Sequence, residues 1–134
     1  MAEPRQSSLG ENELDLLKML WEHGPGTVRE INAWSRRQGR RWAYTTVLTM
    51  LQRLEAKGFV SSDKSGMAHV FQPTVTRDKL LRQRLKDLAN ELCGGIATPL
   101  MLALVEQQRF TPAEINQFRQ LLDQLEGKKK KSDE

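Results

Sequence analysis

Residues Thr45 to Lys57, TTVLTMLQRLEAK, divide cleanly into two faces once they are wound as a helix. At about 100° per residue, Val47, Leu48, Met50, Leu51 and Leu54 gather on one arc, and Thr45, Thr46, Thr49, Gln52, Arg53 and Lys57 gather on the other. The apolar arc needs a core to sit on. The polar arc consists of short hydroxyls, an amide and two cations, with Glu55 at its rim as the one acid, a composition suited to base edges and phosphates.

At 134 residues the chain holds one compact core, or one small domain with an appendage, and two full-sized domains do not fit. Its net charge of +4 is modest but unevenly placed. Residues 1–28 carry two cations against five acids, whereas residues 29–57 carry seven against two. The excess therefore surrounds the two-faced helix, as expected of a nucleic-acid face. One cysteine, Cys93, excludes an intramolecular disulfide and fits a reducing compartment. No apolar run approaches the roughly 20 residues needed to span a bilayer, and MAEPRQSS lacks the apolar core of a signal peptide. The expectation is a cytoplasmic protein without membrane insertion.

Two starts are open for a first helix, Ser8 with Glu11 or Gly10 with Glu13, both spaced as a capping box. The second also places Leu9 and Leu14 at the staple positions and is preferred. Leu14, Leu17, Met19, Leu20 and Trp21 form its stripe, and His23-Gly24-Pro25-Gly26 stops it. Thr27 with Glu30 forms a capping box for a second helix reaching about Gln38, with Val28, Ile31 and Trp34 inward. After a basic loop, Arg36 to Arg41, Trp42-Ala43-Tyr44 leads into the third helix, which Gly58 terminates. Phe59–Lys64 and Ala68–Gln72 read as two strands joined through Ser65 and Gly66. Trp21, Trp34 and Tyr44, spaced helically among leucines, are expected in the core, and Cys93 is expected to be a small buried apolar residue. Three helices followed by a hairpin make a winged helix, whose third helix enters the major groove.

Beyond Pro73 the pattern is wholly helical. Thr76 caps a helix in which Leu81, Leu85, Leu88 and Leu92 recur at spacings of four and three, a coiled-coil-like seam that Cys93-Gly94-Gly95 ends. A shorter apolar helix follows, capped by Thr98 with Pro99 at N1 and carrying Leu100, Met101, Leu102, Leu104 and Val105. Phe110, Thr111, Pro112, Glu114 and Ile115 supply a full set of start signals for a last helix. Its stripe is Ile115, Phe118, Leu121, Leu122 and Leu125.

The fold class is thus mainly α with a small β-hairpin: an N-terminal winged helix-turn-helix over residues 1–73 and a C-terminal three-helix dimerisation domain over 74–126. Residues 127–134 are expected to form a disordered charged tail. So small a helical unit buries too little to stand alone, and the simplest partner is a second copy of the chain. The dimer seam is assigned to Leu81, Leu85, Leu88 and Leu92 of the first of these helices. Leu100 and Leu104 contribute from the second, and Phe118, Leu121, Leu122 and Leu125 from the third.

An enzyme is not expected. His23 and His69 lack a metal-pair spacing, and neither a phosphate-binding glycine loop nor a nucleophile elbow is present, so no cofactor or metal is assigned. Thr45, Thr46, Thr49 and Arg53 are assigned to base reading. Arg36, Arg37, Arg40, Arg41, Gln52 and Lys57, with Lys64 and His69 of the wing, are assigned to phosphate. The competing reading is a protein-interaction module that docks through the winged helix and leucine seam without specific DNA binding.

With these segments in view, the chain resembles the penicillinase repressor family of BlaI/MecI-type regulators, to which the copper-responsive CopY regulators also belong. LGENELDLLKMLWEHGPGTVREI, TTVLTMLQRLEAKGFV and the apolar helix after Gly94-Gly95 carry the resemblance, from about Leu9 to Glu126. It implies a winged-helix homodimer on a palindromic operator in double-stranded DNA, repressing transcription. It also implies relief by proteolysis in the dimerisation domain, signalled by a membrane sensor metalloprotease system. The Asn-Phe bond cut in the best-known members has no counterpart here, its place falling near Ala103-Leu104. The paired cysteines of the CopY-like branch are absent as well.

Overall fold

Local hydrogen bonding fixes where most of the elements begin and stop. A computed structural model describes residues 9–133, with side chains as far as Lys128. The elements run α1 (Glu11–His23), β1 (Gly26–Thr27), α2 (Val28–Arg37), α3 (Tyr44–Ala56), β2 (Val60–Asp63), β3 (Val70–Pro73), α4 (Arg77–Cys93), α5 (Thr98–Gln107) and α6 (Pro112–Asp133). Helix α1 starts after Gly10, with Leu9 and Leu14 both against the core, while Ser8 lies outside the described residues. Helix α2 opens on the expected box: Glu30 N–H donates to Thr27 Oγ1 at 3.2 Å, and Thr27 N–H donates to Glu30 Oε1 at 3.0 Å. Gly58 ends α3 at φ 85°, letting Phe59 N–H donate to the Leu54 carbonyl at 2.9 Å and Gly58 N–H to that of Glu55 at 3.1 Å.

The wing is a three-stranded antiparallel sheet in the order β1-β3-β2, one strand more than the hairpin expected from sequence. Gly26 pairs with Phe71 and Thr27 with Val70, so the added strand is two residues long, too short for any alternation to announce it. A side chain at Gly26 would collide with Trp34, whose Cη2 lies 2.4 Å from the position of a Cβ. Trp34 in turn stacks on His23 with ring centroids 4.5 Å apart, so His23 closes the end of α1.

The chain forms two compact units that divide between Leu88 and Ala89. In the first, α1, α2 and α3 enclose Leu16, Leu17, Leu20, Ile31, Val47, Leu51 and Leu54, with Phe59, Val60 and Phe71 from the sheet. Leu80, on the opening turn of α4, is buried in the same core, and the Trp21 indole donates to the Val75 carbonyl at 2.9 Å. The first turns of α4 therefore belong with the winged helix rather than beyond it.

The second unit comprises the end of α4 with α5 and α6. Gly94 and Gly95 break the chain after Cys93 with φ of 61° and 84°. Ala97, without a side-chain bond, caps α5 in place of Thr98. Helix α6 has the expected box between Thr111 and Glu114, and Phe110 meets Phe118 edge-on at 5.0 Å between centroids. None of the described residues of α5 and α6 is buried. Helix α6 runs on through Gly127 to Asp133, into the tail expected to be disordered, with Glu134 outside the described residues. A helical glycine costs about 1 kcal/mol, while lysines both propagate a helix and suit its negative end, so the run after Gly127 extends the helix instead of leaving it.

Candidate nucleic-acid interface

Helix α3 is seated by Val47, Met50, Leu51 and Leu54, all buried, which turns Thr45, Thr46, Thr49, Gln52 and Arg53 outward, all exposed. Among the described residues Arg53 has no ion pair or hydrogen bond, so its guanidinium donors are available to a ligand. Glu55, the one acid within α3, accepts a hydrogen bond from the Ser62 hydroxyl of β2 at 2.5 Å and is held against the sheet. Its carboxylate is thereby drawn away from the outward arc. Thr49 Oγ1 donates to the Thr45 carbonyl at 2.9 Å, which commits its proton to the helix and leaves lone pairs and a methyl group facing out. As a pure acceptor, Thr49 is matched to the amino groups of adenine or cytosine. Thr45, at the second helical position, does not cap; Ala43 occupies the cap without a side-chain bond.

Two of the cations assigned to phosphate are used inside the protein. The Arg40 guanidinium pairs with Asp15 of α1, reaches Asn12 Oδ1 at 3.5 Å and lies over the Trp42 ring, 5.3 Å from its centroid. Lys57 Nζ is 2.7 Å from Glu13 Oε2, in a pair whose side chains are only 25% and 10% exposed. Arg40, in the loop before α3, and Lys57, at its C-cap, therefore tie the segments flanking α3 to α1. Sequence alone could not separate them from their neighbours, because their partners lie 25 and 44 residues away.

The remaining cations stay at the surface. Arg36 and Arg37 end α2, where positive charge complements the helix dipole, and Arg41 is exposed in the following loop. Arg36, Arg40 and Arg41 line a shallow cleft with Trp42 and Ala43 at the start of α3. In the wing, Lys64 and His69 are exposed on either side of a turn in which Ser65 N–H donates to Asp63 Oδ1 at 2.9 Å. That turn, with the Ser65 hydroxyl bond first among the causes, holds the Asp63 carboxyl below the usual aspartate range.

Two further surface residues lie outside the base and phosphate sets read from the sequence. Met67 stands fully exposed at the wing tip. Tyr44, expected in the core, is 54% exposed at the first position of α3. Side chains in a first turn lean past the helix start, so Tyr44 overhangs the core that Val47 and Leu48 reach. Trp21 and Trp34, by contrast, pack against the core as expected. Among the seam residues, Leu85 and Leu100 are half-buried, while Leu81, Leu88, Leu92, Leu104, Phe118, Leu121, Leu122 and Leu125 are exposed. Cys93 is half-buried. No single helix among the described residues is long and apolar enough to cross a membrane.

The penicillinase repressor family model matches residues 9–124. A transcriptional regulator BlaI of Mycobacterium tuberculosis is 36% identical over 122 residues, covering 89% of this chain and 86% of that protein. The penicillinase repressor of Bacillus licheniformis is 25% identical over 122 residues, covering 91% of this chain and 94% of that protein. Among solved structures, the DNA binding domain of the repressor BlaI aligns at 26% identity with a TM-score of 0.49, covering 58% of this chain and 90% of that one. With a match that extends from the residue before the α1 cap into α6, and so takes in both compact units, the chain belongs to the penicillinase repressor family.

Proposed function

We propose that this chain is a transcriptional repressor that binds a palindromic operator as a homodimer, reading each half-site with the outward face of α3. The observation that carries this reading is that face: hydroxyls, an amide and an uncommitted arginine on a helix whose flanking segments are tied to α1 and whose own carboxylate is held by Ser62. Thr45, Thr46, Thr49 and Arg53 meet base edges. Arg36, Arg37, Arg41 and Gln52 meet phosphate beside the helix, and Lys64 and His69 meet it from the wing.

The homodimer is supported by the second unit, which in a single chain leaves Leu92, Ile96, Leu102, Leu121 and Leu122 more than half exposed. So much apolar surface on so small a unit calls for a covering, and a second copy related by a two-fold axis also presents two recognition helices to two half-sites. Relief by a cut near Ala103 and Leu104, downstream of a membrane sensor metalloprotease, completes the reading. Both residues lie within α5, so that helix must unwind before a protease can hold it extended.

The test is binding to a duplex selected from a randomised library, compared with random duplex across a salt series. A specific repressor binds the selected duplex more tightly, with affinity that falls steeply as salt rises. Arg53→Ala lowers that preference by roughly 1 to 3 kcal/mol without changing thermal stability. Equal affinity for selected and random duplexes would refute the proposal.

A further inference from the structure

We infer that Tyr44 is a specificity-determining residue, its ring packing on the C5-methyl group of a thymine at the end of the half-site met by the start of α3. The inference rests on the operator-binding reading above and adds a base contact that the threonines and Arg53 do not supply.

Tyr44 is 54% exposed although Trp42, two residues earlier, packs against the core. Its phenol has no hydrogen-bond partner among the described residues. The backbone that presents it is held from several directions. The Asn32 amide, itself 8% exposed, donates to the Trp42 carbonyl at 2.8 Å, while Arg40 covers the Trp42 ring and is tied to Asp15. The fold thus holds the segment leading into α3 and leaves more than half of a large side chain exposed at the start of the helix.

A first-turn side chain leans beyond the helix N-terminus, and in a helix-turn-helix that end meets the base edges. The neighbouring outward groups, Thr45, Thr46, Thr49, Gln52 and Arg53, are chiefly hydrogen-bonding groups. Tyr44 alone offers a broad apolar surface. On the major-groove edge the apolar counterpart is the thymine methyl group.

The full-length protein and its Tyr44→Phe and Tyr44→Ala variants are each selected against a randomised duplex library. The duplex recovered by the wild type is then remade with uracil replacing thymine, one position at a time. At one thymine per half-site, wild type and Tyr44→Phe are expected to lose about fourfold in affinity on removal of the methyl group, the equivalent of ~0.8 kcal/mol for one buried methyl. Tyr44→Ala, assayed well below its own melting temperature, is expected to bind the two duplexes equally. The inference is overturned if Tyr44→Phe weakens as much as Tyr44→Ala on every duplex, which would make the hydroxyl a phosphate contact. It is equally overturned if Tyr44→Ala keeps the wild-type response to uracil. A wild type that selects no sequence at all would overturn the operator reading itself, whereas selection with unaltered preferences in Tyr44→Ala would overturn this inference alone.

Discussion

Replacing Lys57 by alanine is expected to cost stability and leave phosphate contact untouched, the reverse of what a cation at the end of a recognition helix would ordinarily do. The Glu13 side chain is 10% exposed and the Lys57 side chain 25%, so the pair lies between the surface case, worth about 0.2 to 1 kcal/mol, and a fully buried pair, whose one-sided loss costs about 3 to 5. Lys57→Ala strands the deeper carboxylate. The first-turn amides of α1 offset part of that penalty, which leaves an expected loss of about 2 kcal/mol. Glu13→Ala removes the other half of the pair and strands no buried carboxylate, so about 1 kcal/mol is expected there. Urea denaturation of both single variants and the double variant then gives a coupling of about 1 kcal/mol, above the roughly 0.3 to 0.5 kcal/mol scatter of independent sites.

The second half of the experiment is a salt titration of duplex binding, carried out well below the melting temperature. With Lys57 internal, the slope of log affinity against log salt is unchanged in Lys57→Ala, whereas a lost phosphate contact would flatten it by about 0.9. A flattened slope with unaltered stability would refute the bracing role and return Lys57 to the DNA.

Gly26→Ala places a methyl group where the Trp34 ring sits, and is expected to destabilise by about 1 to 3 kcal/mol in chemical denaturation; a neutral result would mean the His23–Trp34 stack yields freely. Asp63 and Glu114 accept hydrogen bonds from Ser65 and Thr111, and both carboxyls are held below their ordinary values. Because the folded value is the lower one, the stabilisation is present above the ordinary carboxylate range and is lost as pH falls through the folded values. Carboxyl NMR titration should show both depressed midpoints, with Ser65→Ala returning Asp63 part of the way; ordinary midpoints in the wild type would contradict the turn and cap geometry. Leu104→Glu is expected to yield a monomer by sedimentation and to weaken binding to a palindrome while sparing a single half-site. An intact dimer would move the interface off α5.

What sequence disclosed and what it withheld follow from the range of the interactions involved. The faces of α3, the boxes at Thr27–Glu30 and Thr111–Glu114 and the glycine stops at 58, 94 and 95 depend on residues within a turn or two, and periodicity and cap spacing read them directly. The strand at Gly26-Thr27 depends on Val70 and Phe71, far along the chain, and is too short to leave a pattern of its own. The same holds for the cations: composition shows seven between residues 29 and 57, but only the fold shows that two of them face Glu13 and Asp15. Tyr44 was misplaced for a different reason. A helical wheel registers angle and not height, and Tyr44 shares the angle of core residues while standing beyond the end of the core.

The acidic opening of the chain thereby acquires a mechanical meaning. Glu13 and Asp15 pair with Lys57 and Arg40, so two of the cations assigned to phosphate have their charge answered within the protein. In return the loop that leads into α3 is held to α1 through Arg40 and its C-cap through Lys57, with the Trp42 ring under Arg40 and the Trp42 carbonyl accepting from the Asn32 amide. Phosphate contacts attract every duplex alike, whereas base contacts discriminate only if the side chains that make them are already in position. In the operator-binding reading proposed above, a helix that distinguishes sequences gains more from being held still than from two further cations, and the acids that pair with Lys57 and Arg40 sit on α1.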